Sequence, residues 1–153
     1  MTHLKVNNQA PFFSGVNQNG NKLLLSDFND SKLILYFYPK DNTPGCTAES
    51  CNLNENYLKL FEAGFKILGI SPDNELSHLK FIDKYNLQFD LIADVDKKIA
   101  IDYGVWGEKK FMGKNYLGIH RTTFVINKDQ LIEKVFTKVI TKNHTEQILE
   151  SYK

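Results

Sequence analysis

Sulfur is scarce in this chain. Among 153 residues there are two cysteines, Cys46 and Cys51, and two methionines. Two thiols are too few for the disulfide framework that holds small secreted domains together. They do not suggest structural zinc either, which takes four Cys or His ligands in closely spaced pairs. The four histidines, His3, His78, His120 and His144, are scattered, and no metal is expected. Charge of one sign is equally scarce. Lys and Arg number 19 against 18 Asp and Glu, a net charge of +1, so nothing draws the chain to nucleic acid or to an anionic membrane. Long apolar runs are missing, and the longest fall far short of a bilayer span. The opening stretch MTHLKVNNQAPFFSG lacks the basic start, apolar core and cleavage site of a secretory signal, so the cytoplasm is the expected compartment. With no repeats or linkers, residues 1–153 read as a single domain, long enough to bury its own core.

What is present alternates between strand and helix signals. Pro11 to Phe28 reads as a small hairpin turning at Asn19-Gly20. Leu33 to Tyr38, LILYFY, is a continuous apolar run that fits a strand buried on both faces. Pro44 to Ala63 reads as a helix, with Thr43 as N-cap, Pro44 at the first position and Gly64 as terminator. Its inward face would carry Leu53, Tyr57, Leu60 and Phe61. Phe65 to Ile70 is a second strand. Glu75 to Tyr85 is an amphipathic helix with Leu76, Leu79, Ile82 and Tyr85 inward, and FDLIAD is a third strand. A short helix covers Lys97 to Tyr103, and Gly104 to Gly118 reads as irregular. Thr122–Ile126 and Leu131–Phe136 flank the turn NKDQ as a hairpin, and Thr145 to Tyr152 closes the chain as a helix. This order predicts an α/β protein of thioredoxin-like fold: a central mixed β-sheet flanked by helices, with an extra N-terminal β-hairpin.

Both thiols fall in the segment YPKDNTPGCTAESC, Tyr38 to Cys51. Cys46 follows a buried strand and sits in the first turn of a helix. Ligand sites of open α/β sheets lie at the carboxyl ends of strands, and the free N–H groups and positive dipole of a helix start favour an anion such as a thiolate. Pro39, Pro44 and Gly45 shape the loop, and the Thr43 hydroxyl lies within reach of the sulfur. The polar, turn-forming DNTPG places Cys46 near the surface. The alternative is that Cys46 is a small buried hydrophobe. Cys51 lies five residues on, about 7.5 Å further along a helix axis, whereas a disulfide spans Cα atoms at most about 6.8 Å apart. If both sit on one helix, a bridge between them requires that helix to unwind. Ordinary helix packing is the alternative for Cys51. The spacing is too wide for a thioredoxin-type pair, whose cysteines are separated by two residues.

These residues resemble a known signature. Pro39, Thr43 and Cys46, in YPKDNTPGCTAES, are similar to the active-site motif of the peroxiredoxins. Cys51 resembles the second cysteine of the Q-type, or bacterioferritin comigratory, subgroup. VWGEKKFMGKNYLGIHRTTFVI, Val105 to Ile126, resembles the later block of that subgroup, with Arg121 at the position of its active-site arginine. The resemblance covers nearly the whole chain. It implies a thiol peroxidase that reduces hydrogen peroxide and organic hydroperoxides in antioxidant defence. Cys46 would be peroxidatic and Cys51 resolving, through an intramolecular disulfide recycled by thioredoxin or a similar dithiol protein. No metal, haem or flavin cofactor is implied. A resolving cysteine in the same chain removes the need for a dimer, so a monomer is expected.

The resemblance also assigns supporting parts. Thr43, Arg121 and the amides of Gly45 and Cys46 would stabilise charge on the peroxide oxygens. By strand alternation Arg121, Thr123 and Val125 share a face, and a surface ion pair is the bland alternative for Arg121. Glu49 is a carboxylate in the first turns of the helix, placed to hold Arg121 or the loop, or simply to be solvated. Phe37, Tyr38, Trp106 and Phe111 read as core and pocket wall, and His120 as facing away from the site. Two other functions compete: a disulfide oxidoreductase acting on proteins, and a non-catalytic binding module of the same fold. The cysteine spacing disfavours the first, and the set Pro39, Thr43, Cys46 and Arg121 disfavours the second.

Overall fold

The computed structural model describes residues Met1–Lys153. Strands β1 (Ser14–Val16) and β2 (Lys22–Leu24) form the N-terminal hairpin. Gly20 lies in its turn at φ +77°, a conformation that favours glycine. Strand β3 (Lys32–Phe37) leads through a loop into helix α1 (Pro44–Glu55). Helix α2 (Tyr57–Glu62), strand β4 (Phe65–Ser71), helix α3 (Glu75–Tyr85), strand β5 (Leu91–Ala93) and helix α4 (Lys98–Asp102) follow. Strands β6 (Trp106–Phe111) and β7 (Lys114–Ile119) pair as an arm outside the main sheet. Strands β8 (Thr122–Ile126) and β9 (Ile132–Phe136) and helix α5 (His144–Glu150) complete the chain.

The central sheet runs in the order β5-β4-β3-β8-β9. Strand β3 pairs parallel with β4 and antiparallel with β8, so the sheet is mixed and β3 lies at its centre. This is why LILYFY carries apolar residues at consecutive positions. Leu33, Leu35 and Phe37 enter a core shared with Phe13, Ile99 and Tyr103. Ile34, Tyr36 and Tyr38 alternate into a second core with Leu53, Leu60, Phe81 and Ile148 from the helices. Burying each of these large side chains contributes roughly 1.5–3 kcal/mol. Cys46 belongs to the second core. None of the helices is long and apolar enough to cross a membrane.

Four expectations need correction. The helix from Pro44 is broken at Asn56, whose backbone turns to φ −102° and ψ 14° while its side-chain amide donates to the Asn52 carbonyl. Phe61 is consequently more than half exposed. Helix α3 does not turn Leu76 and Leu79 inward. Both are exposed, and His78 and Phe81 are buried instead, because the histidine finds two hydrogen-bond partners inside. The stretch read as irregular, Gly104 to Gly118, holds the regular β6–β7 hairpin, turning at Met112 and Gly113. Its polar strands hide it from a search for apolar alternation. On that arm Phe111 is two-thirds exposed and is not pocket wall.

Candidate active site

The loop after β3 is held by Asp41. The Tyr38 hydroxyl donates to Asp41 Oδ1 at 2.6 Å, and the Ser77 hydroxyl to Oδ2 at 2.8 Å. His78 Nδ1 lies 2.7 Å from the same Oδ2, and its Nε2 lies 2.9 Å from the Ile92 carbonyl. The Asp41 amide donates to Asp73 Oδ2, which also accepts from Ser71. Asp41, Asp73 and His78 bring their oxygen and nitrogen atoms within 4.8 Å of one another. That spacing could suit a cation, but the atoms already satisfy each other and their neighbours, which makes the cluster a clamp between the loop, β4 and α3. Asn42 next to it takes a left-handed turn at φ 59°. The clamp escaped sequence reasoning because a histidine on an amphipathic helix does not announce its partner.

The clamp delivers Pro39 and Thr43 to the start of α1. Thr43 takes the extended N-cap backbone, but its hydroxyl donates to the Lys40 carbonyl at 2.8 Å and makes no capping bond. Pro44, Gly45 and Cys46 are the first three helical residues. The N–H groups of Gly45 and Cys46 therefore have no acceptor within the helix, and Pro44 has none to lose.

Cys46 is buried, with 1% of its surface exposed, and does not lie near the surface as expected. The helix start turns it into the second core, which it shares with Tyr38 and Leu53. Arg121, just before β8, reaches it, and Nη2 donates to Cys46 Sγ at 3.3 Å. The same guanidinium donates through Nη1 to Glu49 Oε1 at 2.8 Å. A side chain on Gly45 would have its Cβ 3.2 Å from Arg121 Nη2. The missing side chain thus makes room for the guanidinium. Burial by itself would lower the Arg121 pKa, but Glu49 and Cys46 outweigh it and hold the group charged. Lys109, from the β6–β7 arm, adds a second cation whose pKa is lowered by burial and then by Arg121.

Glu49 is fully buried rather than solvated. Burial pushes its carboxyl up to about 7, against the opposing pull of Arg121. Behind it stands His144, also fully buried and absent from the sequence-based candidates. Burial drops the His144 ring to about 4, with Arg121 adding to the effect and Gln147 opposing it. Only the fold brings α5 against α1, so nothing in the sequence joins residues 49 and 144.

These two shifts have opposite consequences for stability. The folded value for His144 lies below its ordinary 6.5. Its contribution is therefore present above pH 6.5 and lost as pH falls through about 4. Glu49 is raised above its ordinary 4.5, so its contribution is present below pH 4.5 and lost as pH rises through about 7. In the intact protein the two offset each other. In His144→Leu, which removes the ring without adding a donor, stability should fall as pH rises from 4.5 to about 7, by up to about 3 kcal/mol, measured by urea denaturation. A flat profile in that variant would contradict the assignment.

Cys51 lies on the same unbroken helix as Cys46 and is half-buried. Burial, with Glu55 adding to it, raises its pKa and keeps it a thiol. The C-terminal half of α1 is tied down by Asn52, which donates to the Lys142 carbonyl and accepts from the Thr145 amide. The Tyr36 and Ser50 hydroxyls share a hydrogen bond of 2.8 Å beneath the helix.

The site is thus a thiol in the first turn of a helix, within hydrogen-bond distance of a guanidinium, on a thioredoxin-like sheet. The AhpC/TSA family model matches residues 6–135, and the chain belongs to that family. Peroxiredoxin Bcp of Escherichia coli is 44% identical over 149 residues, which cover 97% of this chain and 96% of that protein. The PrxQ of Xylella fastidiosa superposes with a TM-score of 0.92 at 28% identity, covering 99% of this chain and 97% of that one. The bacterioferritin comigratory protein of Xanthomonas campestris gives a TM-score of 0.87 at 32% identity, covering 99% and 96%. The chain is thus a peroxiredoxin, a peroxidase whose substrate is a peroxide and whose electrons come from a thiol reductant.

Proposed function

We propose that Cys46 is the peroxidatic cysteine of this single-domain enzyme and Cys51 its resolving partner. The observation that carries this reading is the Arg121 fork, which faces Cys46 Sγ on one arm and buried Glu49 on the other. A thiolate at Cys46 attacks the nearer peroxide oxygen, the O–O bond breaks, and charge gathers on the departing oxygen. Arg121 and the free amides of Gly45 and Cys46 are fixed in advance where that charge develops. Pro39 and Thr43 shape the loop beside the sulfur, and the Thr43 hydroxyl braces it through Lys40. Cys46 becomes a sulfenic acid, Cys51 condenses with it to a disulfide and water leaves. A dithiol protein such as thioredoxin restores both thiols by exchange.

The bridge requires the first turns of α1 to unwind, because residues five apart on a helix are too far apart to bond. Unwinding also frees Cys51 from the burial that keeps it a thiol. The Xanthomonas campestris relative has alkyl peroxide reduction activity, which supports organic hydroperoxides as substrates beside hydrogen peroxide. A cytoplasmic monomer, working without a metal or organic cofactor, fits this chemistry.

The test is intact mass after one equivalent of hydrogen peroxide. Wild type should lose two hydrogens, map to a Cys46–Cys51 disulfide and recover with thioredoxin. Cys51→Ser should instead gain one oxygen and stop there. A Cys51→Ser variant that still turns over with thioredoxin at the wild-type rate would remove Cys51 from the cycle.

A further inference from the structure

The two oxygens of Glu49 are treated differently. Oε1 accepts from Arg121, but Oε2 is fully buried with no hydrogen-bond partner. The nearest ring nitrogen is His144 Nε2, 3.5 Å away. The neighbours of that ring set its orientation. Gln147 Nε2 donates to the Lys138 carbonyl, which leaves Gln147 Oε1 to accept from the Ile140 amide and from His144 Nδ1 at 2.9 Å. Nδ1 therefore carries the hydrogen, and Nε2 presents a lone pair, to which the Thr123 hydroxyl donates at 2.8 Å. An ionised Glu49 would thus bury a charged oxygen beside an uncharged ring nitrogen that donates nothing to it. One proton on Oε2 removes that buried charge.

The charge count points the same way. Arg121 is the cation in contact with both Cys46 and Glu49. If both acids were ionised, that one guanidinium would have to serve two buried negative charges, because the Lys109 ammonium donates to the Ile119 carbonyl and bonds to neither acid, and this is costly. The other titratable or charged groups around Glu49 come from four elements. Tyr36 of β3 stays protonated because burial opposes its ionisation, His144 of α5 is held neutral by burial, Lys109 of β6 feels the charges of Arg121 and Cys46, and Cys46 shares α1 with Glu49 itself.

Building on the assignment of Cys46 as peroxidatic, we propose that Glu49 is a proton-storing positioning residue. Its Oε2, seated against His144 Nε2 and Thr123, takes up a proton when Cys46 ionises and releases it when the sulfur becomes neutral. Protons and charge balance at each step. As the S–H bond of Cys46 breaks, an O–H bond forms on Glu49, and the cluster's net charge is unchanged. In the peroxide step the sulfur loses two electrons to the O–O bond and becomes a sulfenic acid. The departing oxygen needs one proton and Glu49 gives one up, the exchange passing through solvent. Arg121 then faces one anion at each stage, and the site needs no net proton from bulk water.

Infrared difference spectroscopy during a pH titration tests this on the reduced, intact chain. Wild type should show the carbonyl band of a protonated carboxylic acid near pH 7, absent from Glu49→Gln. In Cys46→Ser, with no thiolate to compete for Arg121, the band should disappear about one pH unit lower or more. A Glu49 band with the same pH dependence in both proteins, or no such band, would overturn the proposal. If Glu49→Gln does not fold, His144→Gln replaces it: an amide donor toward Oε2 should also move the band to lower pH, and an unmoved band counts against the proposal. Residual peroxidase activity in Cys46→Ser would mean that the site assignment itself has failed. An inactive Cys46→Ser with an unmoved band defeats the proton store alone.

Discussion

Cys46→Ser should reduce peroxide consumption by roughly 10³-fold or more, to the uncatalysed background, because a serine hydroxyl supplies no anion to attack the peroxide. The loss should not come from unfolding. The replacement is nearly isosteric, and the Arg121 Nη2 that donates to Cys46 Sγ can donate to the serine oxygen instead. Burying a hydroxyl without a partner costs about 1–3 kcal/mol, and this partner offsets most of it. Near-ultraviolet circular dichroism and the denaturant midpoint should therefore stay close to wild type while stopped-flow peroxide kinetics collapse. A folded Cys46→Ser enzyme that keeps even a tenth of the wild-type rate would move the peroxidatic role elsewhere.

Arg121→Ala should be the second most damaging change, for two separable reasons. Kinetically, it removes the one side-chain donor to Cys46 Sγ. Losing a comparable fixed donor costs about 10²–10³ in rate, and the rate constant with hydrogen peroxide should fall by that factor. For stability, it leaves Glu49 fully buried without its cation. Breaking a buried ion pair from one side typically costs about 3–5 kcal/mol. Part of that penalty disappears when the orphaned carboxyl binds a proton, so the variant should be least stable above pH 7, where Glu49 is pressed hardest to ionise. The double variant Arg121→Ala/Glu49→Gln should recover stability but not rate. If it recovers both, Arg121 acts only by neutralising Glu49. If the single variant keeps the wild-type rate constant, Arg121 has no part in the chemistry.

The clamp at Asp41 and the fork at Arg121 act on the same short loop from opposite sides. One fixes where α1 begins, and the other fixes what its first turn faces. Both must tolerate the unwinding that a Cys46–Cys51 bridge demands. Besides the backbone bonds of the first turns, the stretch from Cys46 to Cys51 is held by the hydrogen bonds of Arg121 with Glu49, Arg121 with Cys46, and Tyr36 with Ser50. Asn52, tied to α5 and the turn before it, anchors the helix beyond Cys51.

Much of this protein could be read without coordinates. The alternation of apolar strands with amphipathic segments determined the α/β order and the central position of LILYFY, because consecutive apolar residues in a short run need burial on both faces. Thr43 and Pro44 marked the start of α1, because the extended backbone before the helix and a proline at its first position are local features, even though the Thr43 hydroxyl makes no capping bond. The spacing of Cys46 and Cys51 carried the conclusion that a bridge needs unwinding, since helix geometry alone sets that distance.

Tertiary structure decided what depends on which distant residues meet. The sequence placed Cys46 near the surface and left Glu49 between roles, yet both are buried. Local polarity reports the loop, not what packs over it. The inward face of α3 was misjudged because Asp41 and the Ile92 carbonyl, supplied by other elements, satisfy His78 in the core. His144 could not be found at all. Its place behind Glu49 exists only because α5 packs on α1 and Thr123 of β8 hydrogen-bonds the ring. Composition and periodicity specify which faces are apolar. Where a buried charge or proton sits is set by the partners that folding brings within hydrogen-bond reach, and Glu49 and Arg121 lie 72 positions apart in the chain.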